Sequence, residues 1–272
     1  MQTVALEASL DAGDSGRRGG HDVERGTRTT KVKLQKYVRT VCFHAFVFLR
    51  FRDAAAMSSR FRTVLFDLDG TLVDHFAAIH RCHAYAMARL NLPVPTPSQV
   101  RAAVGGGLEN AIRQLAGPEQ VAAVLPLFRA HMAATMLDDV VTLPGARELL
   151  SALDAAGVQT AVLTNKHGPT ARSICGHLGF SPLVHSVLGA ADTPWLKPDP
   201  ALTRHTLALL GAEAATTLFV GDSPYDIQTA HQASLPCWVV TTGTHTAEEL
   251  RAAGAERVYT GLNEIATALA VD

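Results

Sequence analysis

"VLFDLDGTLVD", Val64 to Asp74, runs from an apolar segment into three carboxylates, Asp67, Asp69 and Asp74. The apolar half reads as a buried strand. Charges at the end of such a strand are costly unless something compensates them. In an extended strand, residues two apart point the same way and lie roughly 6.5–7 Å apart. Asp67 and Asp69 could therefore face one reacting group, one as nucleophile and one as acid/base. The alternative is a turn in which Asp and Gly simply end the strand. A calcium loop does not fit: counted from Asp67, it needs a ligand at position 71 and Gly at 72, where the chain has Thr71 and Leu72.

Outward from this stretch, short β-rich runs alternate with helical patterns. The runs are "VLFDL" (64–68), "TAVLT" (160–164), "VHSVLG" (184–189), "TLFVG" (217–221), "CWVV" (237–240) and "RVYT" (257–260). Between them lie "ARELLSALDAAG", "PALTRHTLALLG" and "TAEELRAAG", apolar at helical spacing and stopped by Gly. This order predicts an α/β fold, a Rossmann-like doubly wound parallel sheet. His75 to Leu143 breaks the alternation, being Ala/Leu-rich, strand-poor and interrupted by "PVPTP" and "GGG". It reads as a small α-helical cap domain (75–143) inserted after the first strand, the core comprising residues 59–74 and 144–272.

Of the 272 residues, 47% are hydrophobic, enough for a substantial core. Through Arg62 there are 12 Lys+Arg against 6 Asp+Glu; the rest has 12 against 19. An acidic body argues against nucleic acid as its partner. The longest apolar run, Val41 to Leu49, is too short to span a bilayer, so no membrane partner is expected. Cys42, Cys82, Cys175 and Cys237 are widely spaced, which fits a reducing cytoplasm. Residues 1–58 are polar, Gly- and Arg-rich at first and then basic-apolar. They read as a disordered extension, with Met57 a plausible natural start that residues 1–56 precede.

Open parallel sheets bind ligands beyond the carboxyl ends of their strands. Thr164 and Asn165 close one strand, and Lys197 sits between Pro194 and Pro198, which stiffen the backbone around it. "LFVGDSPYD" ends a strand at Gly221 and places Asp222 before a helix with Ser223 as N-cap and Pro224 first. Asp226, in the first turn, suits the helix dipole in any case. Asp222 is harder to account for without a cation, and Mg²⁺ shared with Asp67 would remove the cost of its charge. His80 and His83 share a helical face but lack a third ligand, so they read as structural. His75 and His167 adjoin the motifs and could line a mouth to the site.

Together "DLDGT", Thr164, Lys197 and "GDSPYD", in that order, closely resemble the haloacid dehalogenase superfamily of phosphohydrolases over about residues 60–270. The resemblance implies that Asp67 attacks phosphorus and that Asp69 protonates the leaving oxygen and later activates water. Mg²⁺ would be held by Asp67, the Asp69 backbone carbonyl and Asp222, with Asp226 as an outer or additional ligand. Thr164, Asn165 and Lys197 would bind the phosphoryl oxygens. "VGGGLENAIRQL" (104–115), "TNK" and "ADT…KPDP" resemble the phosphoglycolate phosphatase subgroup, which implies a small phosphorylated metabolite, 2-phosphoglycolate first. Gly106 and Arg113 are the cap residues proposed to meet it. A sugar phosphomutase would share every motif, and a non-enzymatic phosphoacceptor module groups similar residues. After Asp226 the family usually has Ala-Gly where this chain has Ala233-Ser234.

Overall fold

Thr63–Phe66 is a run of four wholly buried residues, and in the computed structural model, which describes residues 60–271, it is the central strand β1. Strand β4 (Gln159–His167) lies on one side of it and β6 (Thr217–Gly221) on the other, both parallel. With β5 (Ser186–Ala190), β7 (Cys237–Val240) and β8 (Arg257–Tyr259) they complete a six-stranded sheet of order β5-β4-β1-β6-β7-β8. All five pairings are parallel. The six runs picked out by their β-branched, apolar composition are thus the six strands. The chain leaves β5 and crosses back to β6 beside β1, so the topological switch point, where such sheets bind ligands, lies at the ends of β1 and its two neighbours.

Alternate residues of the central strands, Leu65, Ala161, Leu163 and Phe219, share one buried cluster with Leu202 and Leu207 of the helix at Pro200–Leu210 and with Ile227 of the helix at Pro224–Gln232. The strict alternation is what lets one sheet bury apolar residues under helices on both faces.

Between residues 75 and 140 the chain makes four α-helices: α1 (Phe76–Arg89), α2 (Pro97–Ala103), α3 (Leu108–Ala116) and α4 (Val121–Thr135). They pack around their own cluster, including Cys82, Met87, Val100, Ile112 and Val124, separate from the one under the sheet. The capping box of Thr96 and Gln99 fixes the start of α2. Two short strands not foreseen from the sequence, β2 (Val73–Asp74) and β3 (Val141–Thr142), pair antiparallel where the chain enters and leaves the helices. A two-residue strand is too short to leave a period. Asp74 accepts a hydrogen bond from the Phe76 amide at 3.1 Å and so opens α1. The remaining helices are α5 (Ala146–Ala155), α6 (Gly168–His177), α7 (Pro200–Leu210), α8 (Pro224–Gln232), α9 (Ala247–Ala252) and α10 (Leu262–Leu269).

The expectations for the extension, for Met57, for Val41–Leu49 and for Cys42 lie outside the described residues. Cys82, Cys175 and Cys237 are buried free thiols. Among the described residues no helix is long and apolar enough to cross a membrane.

Ser234 follows the end of α8 with φ +57°, a left-handed conformation in which a Cβ is unfavourable. The Ser at this place therefore carries a local cost that Gly would not. Ser234→Gly is expected to stabilise the fold by ~1 kcal/mol in urea titration, with kcat/KM unchanged. No gain in stability would mean that the Ser is compensated by its surroundings.

Candidate active site

Asp67 extends β1 by one residue, its amide donating to the Val220 carbonyl of β6 at 2.9 Å. That bond fixes the carboxylate at the carboxyl edge of the sheet. The chain then turns at Gly70, φ +85°, where a Cβ would lie 2.6 Å from an Asp222 carboxylate oxygen and 2.9 Å from the Gly243 Cα. Gly in "DLDGT" is thus demanded twice, by the turn and by the approach of Asp222. Thr71, fully buried, donates its hydroxyl proton to Asp222 at 3.2 Å.

Lys197 comes from the loop between β5 and α7. Its ammonium donates to Asp67 Oδ1 and to Asp226 Oδ1, each at 2.7 Å. Carboxylate oxygens of Asp67, Asp222 and Asp226 all lie within 4.8 Å of one another, and all three residues are buried. Three carboxylates against one ammonium leave an excess of negative charge. Burial pushes Asp67 up to about 6, opposed by Lys197 and reinforced by repulsion from Asp226. Burial, and then repulsion from Asp226 and Asp67, also pushes Asp222 well up. Burial works against the Lys197 charge, but the two carboxylates outweigh it and hold its pKa above the usual lysine value. The site as folded wants more positive charge.

The hydrogen bonds sort the sequence-predicted residues more finely than the motifs do. Asp226 Oδ2 accepts from the Asp222 amide (3.1 Å), the Ser223 amide (3.0 Å) and the Ser223 hydroxyl (2.6 Å), while Oδ1 accepts from Lys197. A carboxylate offers about four lone pairs. Those of Asp226 Oδ2 are used by the helix start, and Oδ1 is shared with Lys197, so Asp67 and Asp222 are the carboxylates with the most capacity to spare. The Asn165 side chain is likewise committed. Its Oδ1 accepts from the Lys197 amide (2.7 Å), and its Nδ2 donates to the carbonyls of Lys197 (3.0 Å) and Gly105 (2.9 Å). The Asn165 side chain therefore holds the Lys197 backbone and the helical insert. Thr164 accepts from the Lys166 amide at 3.2 Å and keeps its hydroxyl proton to give.

Asp69 is partly buried, and both its oxygens accept from the Lys166 ammonium at 3.0 Å. Its carboxylate stands apart from the acidic cluster. Lys166 was missed in the sequence, although "TNK" was quoted for its neighbours. A lysine near the end of a strand carries no mark of what it will meet. His75 does not line a mouth: it is fully buried, with Nε2 against the Met136 carbonyl at 2.7 Å and Nδ1 3.7 Å from Asp69. Burial pulls its pKa down to about 4. His80 bonds the Pro95 carbonyl, and His83 packs on Phe128 with centroids 4.6 Å apart, so the two do not form a metal pair.

Asp67, Asp69, Thr164, Asn165, Lys166 and Asp222 open onto a cavity of about 680 Å³ between the sheet edge and the helical insert. Gly106 and Arg113 both line it. Gly106 is small for a reason, since a Cβ there would lie 2.6 Å from the Tyr225 hydroxyl of α8. Arg113 is half-exposed on α3 and pairs with Glu109 one turn before it, at 3.8 Å. His167 also lines the cavity.

The profile of the haloacid dehalogenase-like hydrolases matches residues 64–240, a span that runs from the first strand through β7. The chain belongs to this family. It is 34% identical over 208 residues to a protein of Dickeya dadantii (strain 3937) named "Probable phosphatase IndB", covering 74% of this chain and 90% of that one. It is also 34% identical over 209 residues to a phosphoglycolate phosphatase of Rhodospirillum rubrum, covering 73% and 86%. A crystal structure of a "predicted phosphoglycolate phosphatase" from Haemophilus somnus 129pt superposes with a TM-score of 0.73 at 24% identity, covering 78% of this chain and 99% of that one. That last likeness is one of fold. Membership of a hydrolase family sets aside the phosphoacceptor alternative, and the fold read from the sequence is the fold of the family.

Proposed function

We propose that this hydrolase is a Mg²⁺-dependent phosphatase of a small phosphorylated metabolite. The observation that carries the reading is the pairing of two differently held carboxylates on one cavity, Asp67 against Lys197 and Asp69 against Lys166. Lys197 occupies Asp67 Oδ1 and leaves Oδ2 to attack. Oδ2 forms a bond to phosphorus, the bond from phosphorus to the alcohol oxygen breaks, and Asp69 in its protonated form gives that oxygen its proton. Water then attacks the phosphorus of the Asp67 acyl phosphate, Asp69 takes its proton, and Asp67 departs as a carboxylate. Lys166 holds Asp69 by both oxygens, a pose suited to the second, base-assisted half. Thr164 donates to a phosphoryl oxygen, and the spare proton of Lys197 offsets charge where carboxylate meets phosphate.

The donor set fits a hard divalent cation: buried carboxylate oxygens, an excess of negative charge, and Asp67 and Asp222 with unused lone pairs. Mg²⁺ bound there would supply charge neutralisation between the attacking carboxylate and the phosphoryl oxygens. Asp226 would act from behind, by orienting Lys197 and the Asp222 backbone.

The raised pKa of Asp67 gives this a signature in pH. A carboxyl raised to about 6 from its ordinary 3.8 contributes stability below its unfolded value, and that contribution is lost as pH rises through about 6. A cation replaces the proton. Mg²⁺ is therefore expected to raise Tm more near pH 7 than near pH 5, approaching about 2.7 kcal/mol of stabilisation at a hundred times Kd. Equal shifts at the two pH values in differential scanning calorimetry would count against Asp67 as a ligand.

The names of the relatives make 2-phosphoglycolate the first substrate to assay. Phosphate release from a panel of phosphomonoesters with Mg²⁺ tests the reading. Release from none of them would sink it.

A further inference from the structure

Asp222 is enclosed by backbone from a segment that none of the sequence motifs includes. The loop after β7, residues 241–246, passes beside it and continues into α9. A Cβ added to Gly243 would fall on Asp222 Oδ2, 2.5 Å from its Cγ and 2.9 Å from its Cβ. Gly70 closes on the same oxygen, its own Cβ position lying 2.9 Å from the Gly243 Cα. Asp222 Oδ2 thus occupies space that two glycines leave open, while Oδ1 accepts from Thr71. With one oxygen hydrogen-bonded and the other in a slot, the carboxylate is held in one orientation.

The loop is not free to give way. Thr241 donates its amide to the Tyr259 carbonyl of β8 at 3.0 Å, and the Thr242 hydroxyl donates to the Gly70 carbonyl at 2.6 Å. At the far end, the capping box of Thr246 and Glu249 fixes the start of α9. The Thr242 bond fastens the loop to the turn of "DLDGT", 172 residues earlier, so the two glycines that face Asp222 are tied to each other. Gly243 is not in a left-handed conformation, so its backbone would accept Ala. What forbids a side chain there is Asp222.

We propose that Gly243 is a positioning residue of the metal centre, keeping Asp222 in the orientation that Mg²⁺ requires by leaving it space that any side chain would take. This rests on the Mg²⁺-dependent reading. Mg²⁺ demands near-ideal octahedral geometry, whereas Ca²⁺ accepts irregular ligand sets. A turned Asp222 therefore costs the two ions unequally, which a general loosening of the fold would not. Residues that only orient a ligand are worth about 10–100-fold in metal affinity.

The test is calorimetric titration of the intact chain with Mg²⁺ and, separately, with Ca²⁺. Gly243→Ala is expected to raise the Mg²⁺ Kd about tenfold or more and the Ca²⁺ Kd about threefold at most, so that the preference for Mg²⁺ over Ca²⁺ falls. Thr242→Val cuts the tie to Gly70 and serves as an independent variant should Gly243→Ala fail to fold. It should lower the same preference about threefold, and Thr242→Ser, which keeps the hydroxyl, should leave it as in wild type. An unchanged Mg²⁺ Kd, or equal weakening of both ions, overturns the proposal and leaves the Mg²⁺ reading standing: the loop then serves the fold alone. A wild-type chain that binds no Mg²⁺ is a different failure, taking down the Mg²⁺ reading and the proposal with it.

Discussion

Asp67→Asn is expected to reduce phosphate release from any substrate by about 10⁴-fold or more while leaving the fold intact. Asn has nearly the shape of Asp, so Lys197 keeps a polar neighbour at Oδ1 as well as its bond to Asp226. What is lost is an oxygen able to bond covalently to phosphorus and then leave as a carboxylate. The stability change should have the opposite sign from the usual cost of a buried substitution. Asp67 is held in its charged form near pH 7 against burial and the repulsion of Asp226, so the metal-free variant should melt at the wild-type temperature or above it. Activity by phosphate release and Tm by calorimetry, on the same sample, separate this outcome from simple misfolding. Residual activity within about tenfold of wild type would remove Asp67 from the chemistry.

Lys197→Met should do nearly the reverse to stability. It leaves Asp67, Asp222 and Asp226 buried together without their cation, and removing one partner of a buried ion pair costs about 3–5 kcal/mol. Two carboxylates, both bonded to Lys197 at 2.7 Å, lose their partner at once, so the upper end is expected. In urea titration the loss should be smaller with saturating Mg²⁺, which supplies charge to the same cluster. Activity should not follow the rescue. The donor beside Asp67 Oδ1 is gone, and about 10³-fold in kcat is the cost expected of losing one such group. A variant as stable as wild type without Mg²⁺ would mean that the acidic cluster is neutralised some other way.

The contrast between these variants shows where the sequence was legible. Six strands and the helices at Ala146, Pro200 and Ala247 follow from periodicity and Gly stops, because burial on a sheet or under a helix stamps its repeat on the chain. That Asp67, Thr164, Lys197 and Asp222 meet follows from strand ends and topology alone. What each side chain does there depends on partners distant in sequence. Asn165 reads as a phosphate ligand, and nothing in the sequence shows that its side-chain amide clasps the Lys197 backbone 32 residues on. Asp226 reads as a metal ligand or a helix cap, and its four hydrogen bonds favour the cap. Lys166 carries no local pattern. His83, read as structural from its helical face, is buried against Phe128.

The β2–β3 ribbon carries a consequence for how such a protein can change over time. The polypeptide departs from the core at Val73–Asp74 and returns at Val141–Thr142, the two crossings laced side by side. Because the ends of the insert are already joined, the core closes its own structure without reference to what lies between them, and a longer or shorter insert alters the closure cost only logarithmically. The recognition half of the cavity can thus be rebuilt, residue by residue or wholesale, while the sheet and its loops keep Asp67, Lys197 and Asp222 in place. The molecule is in this sense a reaction centre with an interchangeable fitting, and the ribbon is the coupling.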